Sequence, residues 1–180
     1  VNETTTVIAG GIDLVRRMRS GDAADTLVDL SGLAELRGIE DRGDIIRVGA
    51  MVTHWDVENS RVLSTRLPSF RAAWTTIGNV RIRMMGTVGG NLMAGERAYD
   101  GPVLLGAMGA NLVFLSDAGE ISIAASSGPR DYPDHALLAA IDIPVSATAR
   151  LGFDRSLKPV VSVAVTLDRD AVSVAVGCAY

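Results

Sequence analysis

The chain has 180 residues, 48% of them hydrophobic and 21% charged, with 17 Lys+Arg against 21 Asp+Glu for a formal net charge of −4. At this length roughly 70% of the extended surface is buried on folding, so no disulfide staples are required, and the single cysteine, Cys178, excludes an intramolecular disulfide, an all-cysteine zinc site and a chain-held iron–sulfur cluster. Mild acidity argues against a phosphate-neutralising nucleic-acid surface; no apolar run reaches the roughly 20 residues of a membrane span, and without a basic-then-apolar leader pattern a cytoplasmic location is expected.

Val7, Ile8 and Ala9 form an apolar run that stops at Gly10 and Gly11, after which Leu14, Val15 and Met18 recur at helical spacing beside Arg16, Arg17 and Arg19. This reads as strand, tight turn, helix. Thr26 to Leu30 is a second strand, Leu33, Leu36 and Ile39 are spaced for one or two helical turns, and Ile45 to Ala50 is a third strand. Thr53 with Asp56 forms a capping-box signature opening a helix through Trp55 and Val57. Pro68 starts a longer helix with Phe70, Ala73, Trp74 and Ile77 on its apolar face, ended by Gly78.

Arg81 to Asp100 lacks a sustained period and is expected to be a long ordered loop, followed by a helix over Pro102 to Met108. Asn111 to Leu115 and Ile121 to Ala125 flank Ser-Asp-Ala-Gly-Glu as a hairpin. Ser126 to Asp134 is a loop, and Leu137 to Ile143 is a buried strand closed by Pro144. After a linker-like stretch from Ser146 to Arg150, Val160 to Leu167 and Ala171 to Val176 form a final hairpin. Such a hairpin is marginal in water unless it packs on something else. Strands and helices in this order predict an α+β fold.

Nineteen glycines are unevenly spread, with pairs at Gly10–Gly11 and Gly89–Gly90. In Ala9-Gly10-Gly11-Ile12-Asp13, glycine permits positive φ and close approach of a ligand, and the helix start that follows presents unpaired amides to an anion. One helix N-terminus contributes on the order of 1 kcal/mol, so a phosphate needs a second contact. Gly86-Thr87-Val88-Gly89-Gly90-Asn91 offers one: a hydroxyl, bare amides and a carboxamide. Neither loop is G-x-G-x-x-G or G-x-x-x-x-G-K-[ST], so the Rossmann and Walker A readings fail, and each loop is otherwise accounted for as a structural turn.

The pattern A-G-G-x-D-L at Ala9 to Leu14, I-G-x-x-x-I-R-x-x-G-T-V-G-G-N-L at Ile77 to Leu92, and Asp100 ahead of Leu104, Leu105 and Ala107 resembles the FAD-binding medium subunit of the molybdenum hydroxylases, the group of carbon monoxide and xanthine dehydrogenases. The resemblance spans about Val7 to Ala125 and includes Leu27-Val28-Asp29-Leu30, Leu36-Arg37-Gly38-Ile39 and Val48-Gly49-Ala50. It implies a two-subdomain FAD-binding fold of the vanillyl-alcohol-oxidase/CO-dehydrogenase flavoprotein type. Residues 1–50 would carry the first glycine loop, 51–145 the second, and 146–180 a linker and the opening hairpin of an incomplete C-terminal domain. The chain would then be short at both ends.

It further implies that FAD lies between the subdomains, held by Ala9, Gly10, Gly11, Ile12, Asp13, Thr87, Gly89, Gly90, Asn91 and Asp100, with Lys158 near the isoalloxazine. No residue of this chain would be catalytic. The implied partners are a large subunit with molybdopterin, where substrate is oxidised, and a small subunit with [2Fe-2S] clusters; the flavin would pass electrons to an external acceptor. The chain departs from the family pattern at Ile12, where a small hydroxyl residue is usual, and at Arg81, Met84, Met85 and Arg97. The alternatives are a flavin-free structural or assembly subunit and a stand-alone flavin reductase on the same fold. The remaining reactive side chains have plainer readings: His54 and His135 as surface or capping residues, Cys178 as packing, Met84 and Met85 as gap fillers, Trp55 and Trp74 as core, and Arg16, Arg17 and Arg19 as a solvated helix face.

Overall fold

A computed structural model describes residues 5–157 and 160–178. The first unit is β1 (Thr5–Ile8), α1 (Ile12–Arg19) and β2 (Thr26–Asp29), with the two strands parallel and Ile8 opposite Asp29. The turn into α1 depends on Gly11, whose φ of 72° is left-handed and open to glycine at little cost. No residue of α1 is fully buried. The unit is held below by a small apolar cluster of Leu30, Leu36, Met51 and Ala139, against which Ala9 packs.

The second unit is an antiparallel five-stranded sheet made of β3 (Ile39–Asp41), β4 (Ile45–Gly49), β5 (Asn111–Ser116), β6 (Gly119–Ala124) and β7 (Leu137–Pro144). Its strand order is β3-β4-β7-β5-β6, with Val48 opposite Ile141 and Leu112 opposite the same residue from the other side. One face buries Ile46, Val48, Leu112, Phe114, Ile141 and Ile143 under helices α2 (His54–Asn59), α3 (Arg61–Arg66), α4 (Pro68–Trp74) and α7 (Asp100–Ala107). On the other face, Arg47 grips Asp142 of the neighbouring strand through two 2.7 Å hydrogen bonds, a bidentate cross-strand pair.

The capping box forms as expected: Asp56 N donates to Thr53 Oγ1 and Thr53 N to Asp56 Oδ2, each at 3.0 Å. The expected loop from Arg81 to Asp100 instead contains two short helices, α5 (Val80–Met85) and α6 (Val88–Met93). Six residues are too few to display a helical period, and two glycines inside α6 each disfavour helix by about 1 kcal/mol. Side-chain caps and packing override that propensity. Asn79 Oδ1 accepts from Arg81 N and Ile82 N, and Thr87 Oγ1 accepts from Gly90 N. The turns expected over Leu33 to Ile39 reduce to a 3-10 turn at Ala34–Leu36, because Ile39 pairs with Val48 in the sheet.

The C-terminal hairpin is part of a three-stranded sheet of β8 (Arg150–Arg155), β9 (Val161–Asp168) and β10 (Ala171–Cys178), ordered β10-β9-β8. The expected linker from Ser146 runs up to β8, a strand that the sequence reading leaves unassigned. One face of this sheet, through Leu151, Ser162, Ala164 and Thr166, is buried, and Thr166 Oγ1 lies 3.6 Å from Met108 Sδ after the end of α7. That packing supplies the core that an isolated hairpin lacks. The opposite face leaves Val172, Val174 and Val176 exposed. Trp74 is core as expected, whereas Trp55, Met84, Met85 and Cys178 are exposed and fill no interior gap. Among the described residues no helix is long and apolar enough to cross a membrane.

Candidate cofactor-binding cleft

A cleft of about 430 Å³ lies where the first unit faces α5, α6 and the start of α7. Both glycine loops line it, so segments far apart in sequence converge on one site. They touch through a narrow passage: a Cβ placed on Gly90 would lie 3.8 Å from Ala9 Cβ and 2.9 Å from Thr87 Oγ1. Of the sequence-predicted residues, Ala9, Gly10, Gly11, Ile12, Asp13, Thr87, Gly89, Gly90, Asn91 and Asp100 all line the cleft. Lys158 lies outside the described residues.

The two loops have different jobs. In the first, α1 has no side-chain cap, and the amides of Ile12, Asp13 and Leu14 have no acceptor among the described residues. These are the orphan donors of a helix start, and they favour an anion. Gly10 is required by contact rather than by conformation, since a Cβ there would fall 1.9 Å from the carbonyl oxygen of Met85.

In the second loop the bare amides expected from the sequence are already engaged. Val88 N donates to Val52 O at 2.9 Å, Gly89 N to Ala50 O at 2.8 Å, Gly90 N to Thr87 Oγ1 at 3.0 Å and Asn91 N to Thr87 O at 3.0 Å. Gly89 is pressed against the strand end, where a Cβ would come within 2.8 Å of Ala50 O. This loop therefore shapes the cleft and offers the Thr87 hydroxyl, whose oxygen accepts from Gly90 N and whose proton is still free to be donated. Asn91 Oδ1 is buried without a hydrogen-bond partner and faces Gly101, at whose position a Cβ would approach to 2.2 Å.

Asp13 does not present a bare carboxylate. Arg16 Nη2 is 2.6 Å from Oδ1, Arg17 Nε is 3.0 Å from Oδ2, and Tyr99 Oη donates to Oδ1 at 3.2 Å. Arg16 also reaches Glu96 at 2.9 Å, so α1 is tied to the 96–99 segment, whose Tyr99 lines the cleft. Burial, then the Asp13 charge, push the Tyr99 phenol above its ordinary pKa. Asp100 is buried at the start of α7; desolvation raises its pKa, against the opposing pull of Arg155 and Ser162.

Besides Tyr99, two polar cleft residues that escaped the sequence reading stand out. Arg155, from the unrecognised strand β8, bonds Asp100 and lines the cleft. His54, read from the sequence as a surface or capping residue, opens α2 but is 2% exposed and borders the cleft. Its Nδ1 accepts from Trp74 Nε1 at 3.1 Å, and burial, with the nearby Arg83 charge, lowers its pKa to about 4. A stranded buried histidine has one sequence signal, a tryptophan able to donate to it, but that partner lies 20 residues away. Among the described residues no group of His, Cys, Asp and Glu could hold a metal ion.

The donors, the glycine passage and the partnerless Asn91 oxygen fit a dinucleotide: an anionic centre against the first loop, and ligand hydroxyls near Asn91. Comparison with known proteins agrees. Residues 1–146 match the family described as "FAD binding domain in molybdopterin dehydrogenase". The chain is 34% identical over 158 residues to the carbon monoxide dehydrogenase medium chain of Afipia carboxidovorans, covering 82% of this chain and 54% of that one. It is 35% identical to the nicotine 6-hydroxylase medium subunit of Paenarthrobacter nicotinovorans, covering 69% and 44%. It thus spans about half the length of these relatives. The fold superposes on the structure of reconstituted CO dehydrogenase from Oligotropha carboxidovorans with a TM-score of 0.88 and 27% identity, covering 96% of this chain and 66% of that one. With the family matched over most of its length and both glycine loops on one cleft, the chain belongs to the FAD-binding domains of the molybdopterin dehydrogenases.

Proposed function

We propose that this chain is the FAD-binding part of an electron-transfer subunit in a multi-subunit molybdenum hydroxylase of the cytoplasm. In this reading the partners are a large molybdopterin subunit and a small iron–sulfur subunit. A bound flavin exchanges single electrons with clusters and pairs of electrons with an external acceptor. The chain's own residues bind and orient. The Ile12, Asp13 and Leu14 amides hold the diphosphate, Thr87 donates its hydroxyl proton, and Gly90 lets the ligand pass. Asp100, fixed by Arg155, and Asn91 accept from ligand hydroxyls. Residues 1–50 bring the anion-binding loop, 51–145 the wall that shapes the cleft, and 146–180 the beginning of a further domain. A single cysteine agrees with this division, because clusters would be held by another chain.

The observation that carries the reading is the uncapped start of α1 facing Gly90 across the cleft. Purified with its partners, the chain is expected to show the visible absorption of bound flavin and to release FAD on acid precipitation. A colourless complex that stays assembled would instead support a flavin-free assembly subunit, a reading favoured by the internally bonded amides of the second loop.

A further inference from the structure

His54 is the cleft's least explained polar group. The Thr53–Asp56 capping box fixes the start of α2, and His54 N donates to Gly86 O at 3.0 Å, so the ring is held between α2 and the second glycine loop. Trp74 also stacks at a tilt, with ring centroids 5.6 Å apart. Its indole N–H can only donate, so Nδ1 is bare and the one proton of a neutral imidazole sits on Nε2. Nε2 lies beside Gly86, 3.4 Å from where a Cβ would stand, and both residues line the cleft. Among the described residues Nε2 makes no hydrogen bond and, unlike Asn91 Oδ1, is not sealed off from the cleft that His54 lines. The charges facing this region, Arg83 and Glu58, are paired with each other at 3.0 Å.

We infer that His54 is a ligand-contacting residue: a neutral imidazole, locked in one tautomer by Trp74, that donates its Nε2–H to an acceptor atom of the bound dinucleotide. Trp74 is a positioning residue that acts through it. The inference rests on the reading of the cleft as an FAD site and adds a donor to it that neither glycine loop supplies. A neutral donor makes its hydrogen bond without placing a cation beside Arg83.

Long-range proton–nitrogen spectra of the histidine rings in the full chain test this directly, because the sequence holds two histidines, and His54→Gln assigns the resonance. The expected ring is Nε2-protonated with a bare Nδ1 from about pH 8 down to about pH 5.5. Added FAD should move the His54 Nε2 signal and leave His135 in place. Binding titrations should show His54→Phe weakening FAD about tenfold, with His54→Gln, which keeps a donor, near wild type. A shift with ADP as well as FAD would place the acceptor on the diphosphate or adenosine half, and a shift with FAD alone would place it on the isoalloxazine half. A chain that takes up FAD while the His54 ring stays unmoved, or carries its proton on Nδ1, overturns this inference alone. A wild-type chain that takes up no FAD overturns the reading of the site.

Discussion

Arg155 Nη1 donates to Asp100 Oδ2 at 2.5 Å while its Nη2 donates to Thr76 O at 3.0 Å. One side chain from β8 thus fastens the third sheet to the start of α7 and to the segment after α4, at the cleft wall. Replacing it with methionine leaves a buried carboxylate without its cation. Because the arginine is partly exposed and screened, Arg155→Met is expected to destabilise by about 2 kcal/mol. Pairing it with Asp100→Asn should recover part of the loss, measurable by urea unfolding of the single and double variants.

Gly90 and Gly89 are neighbours with different sensitivities. A side chain at Gly90 enters the passage between the loops and presses on Thr87 Oγ1, so Gly90→Val should abolish FAD retention at a modest cost in thermal stability. Gly89→Val drives carbon into the Ala50 backbone and should lose folded protein outright. Flavin content per folded chain, read alongside circular dichroism, separates them. Full flavin in Gly90→Val would show that the ligand does not use this passage.

The buried imidazole makes stability depend on pH. The His54 pKa is about 4 in the folded chain against 6.5 for a free side chain, so the unfolded chain binds a proton that the native chain refuses. Stability therefore falls as pH drops through this window. Between about pH 7 and about pH 5 the loss from this residue is about 2 kcal/mol. His54→Gln should lose that much less over the same range, as read from denaturant midpoints.

Arg16 bridges Asp13 on its own helix and Glu96 of the 96–99 segment. Both contacts are at the surface, so Arg16→Met should leave stability almost unchanged. Its larger effect should be kinetic: faster FAD release in stopped-flow exchange, with a difference from wild type that shrinks as salt screens the bridges. An unchanged release rate would remove Arg16 from any role in closing the cleft.

Much of this site was legible because its signals are local. The capping box of Thr53 and Asp56 spans four positions, and the glycine pair after β1 marks a turn whose left-handed φ at Gly11 few other residues adopt. What stayed hidden depends on distance along the chain. Arg155 pairs with a residue 55 positions away, on a strand whose Arg-Leu-Gly-Phe-Asp-Arg sequence interrupts apolar alternation with charge. The amides of the second loop looked free because nothing in Thr87-Val88-Gly89-Gly90 announces that residues 50–52 run alongside it and accept from Val88 and Gly89.

The closed amides of the second loop and the open ones of the first set an asymmetry in how such a domain can drift. Substitutions at positions 86–89 are filtered by whether the chain folds at all, because those residues hold α2, β4 and α6 in register. A substitution at Ile12 meets a weaker filter, since α1 buries nothing completely, whereas Asp13 is held by Arg16, Arg17 and Tyr99. Changes that turn the backbone of the first loop away from the cleft would thus empty the site and keep the scaffold, leaving a second loop of unaltered appearance.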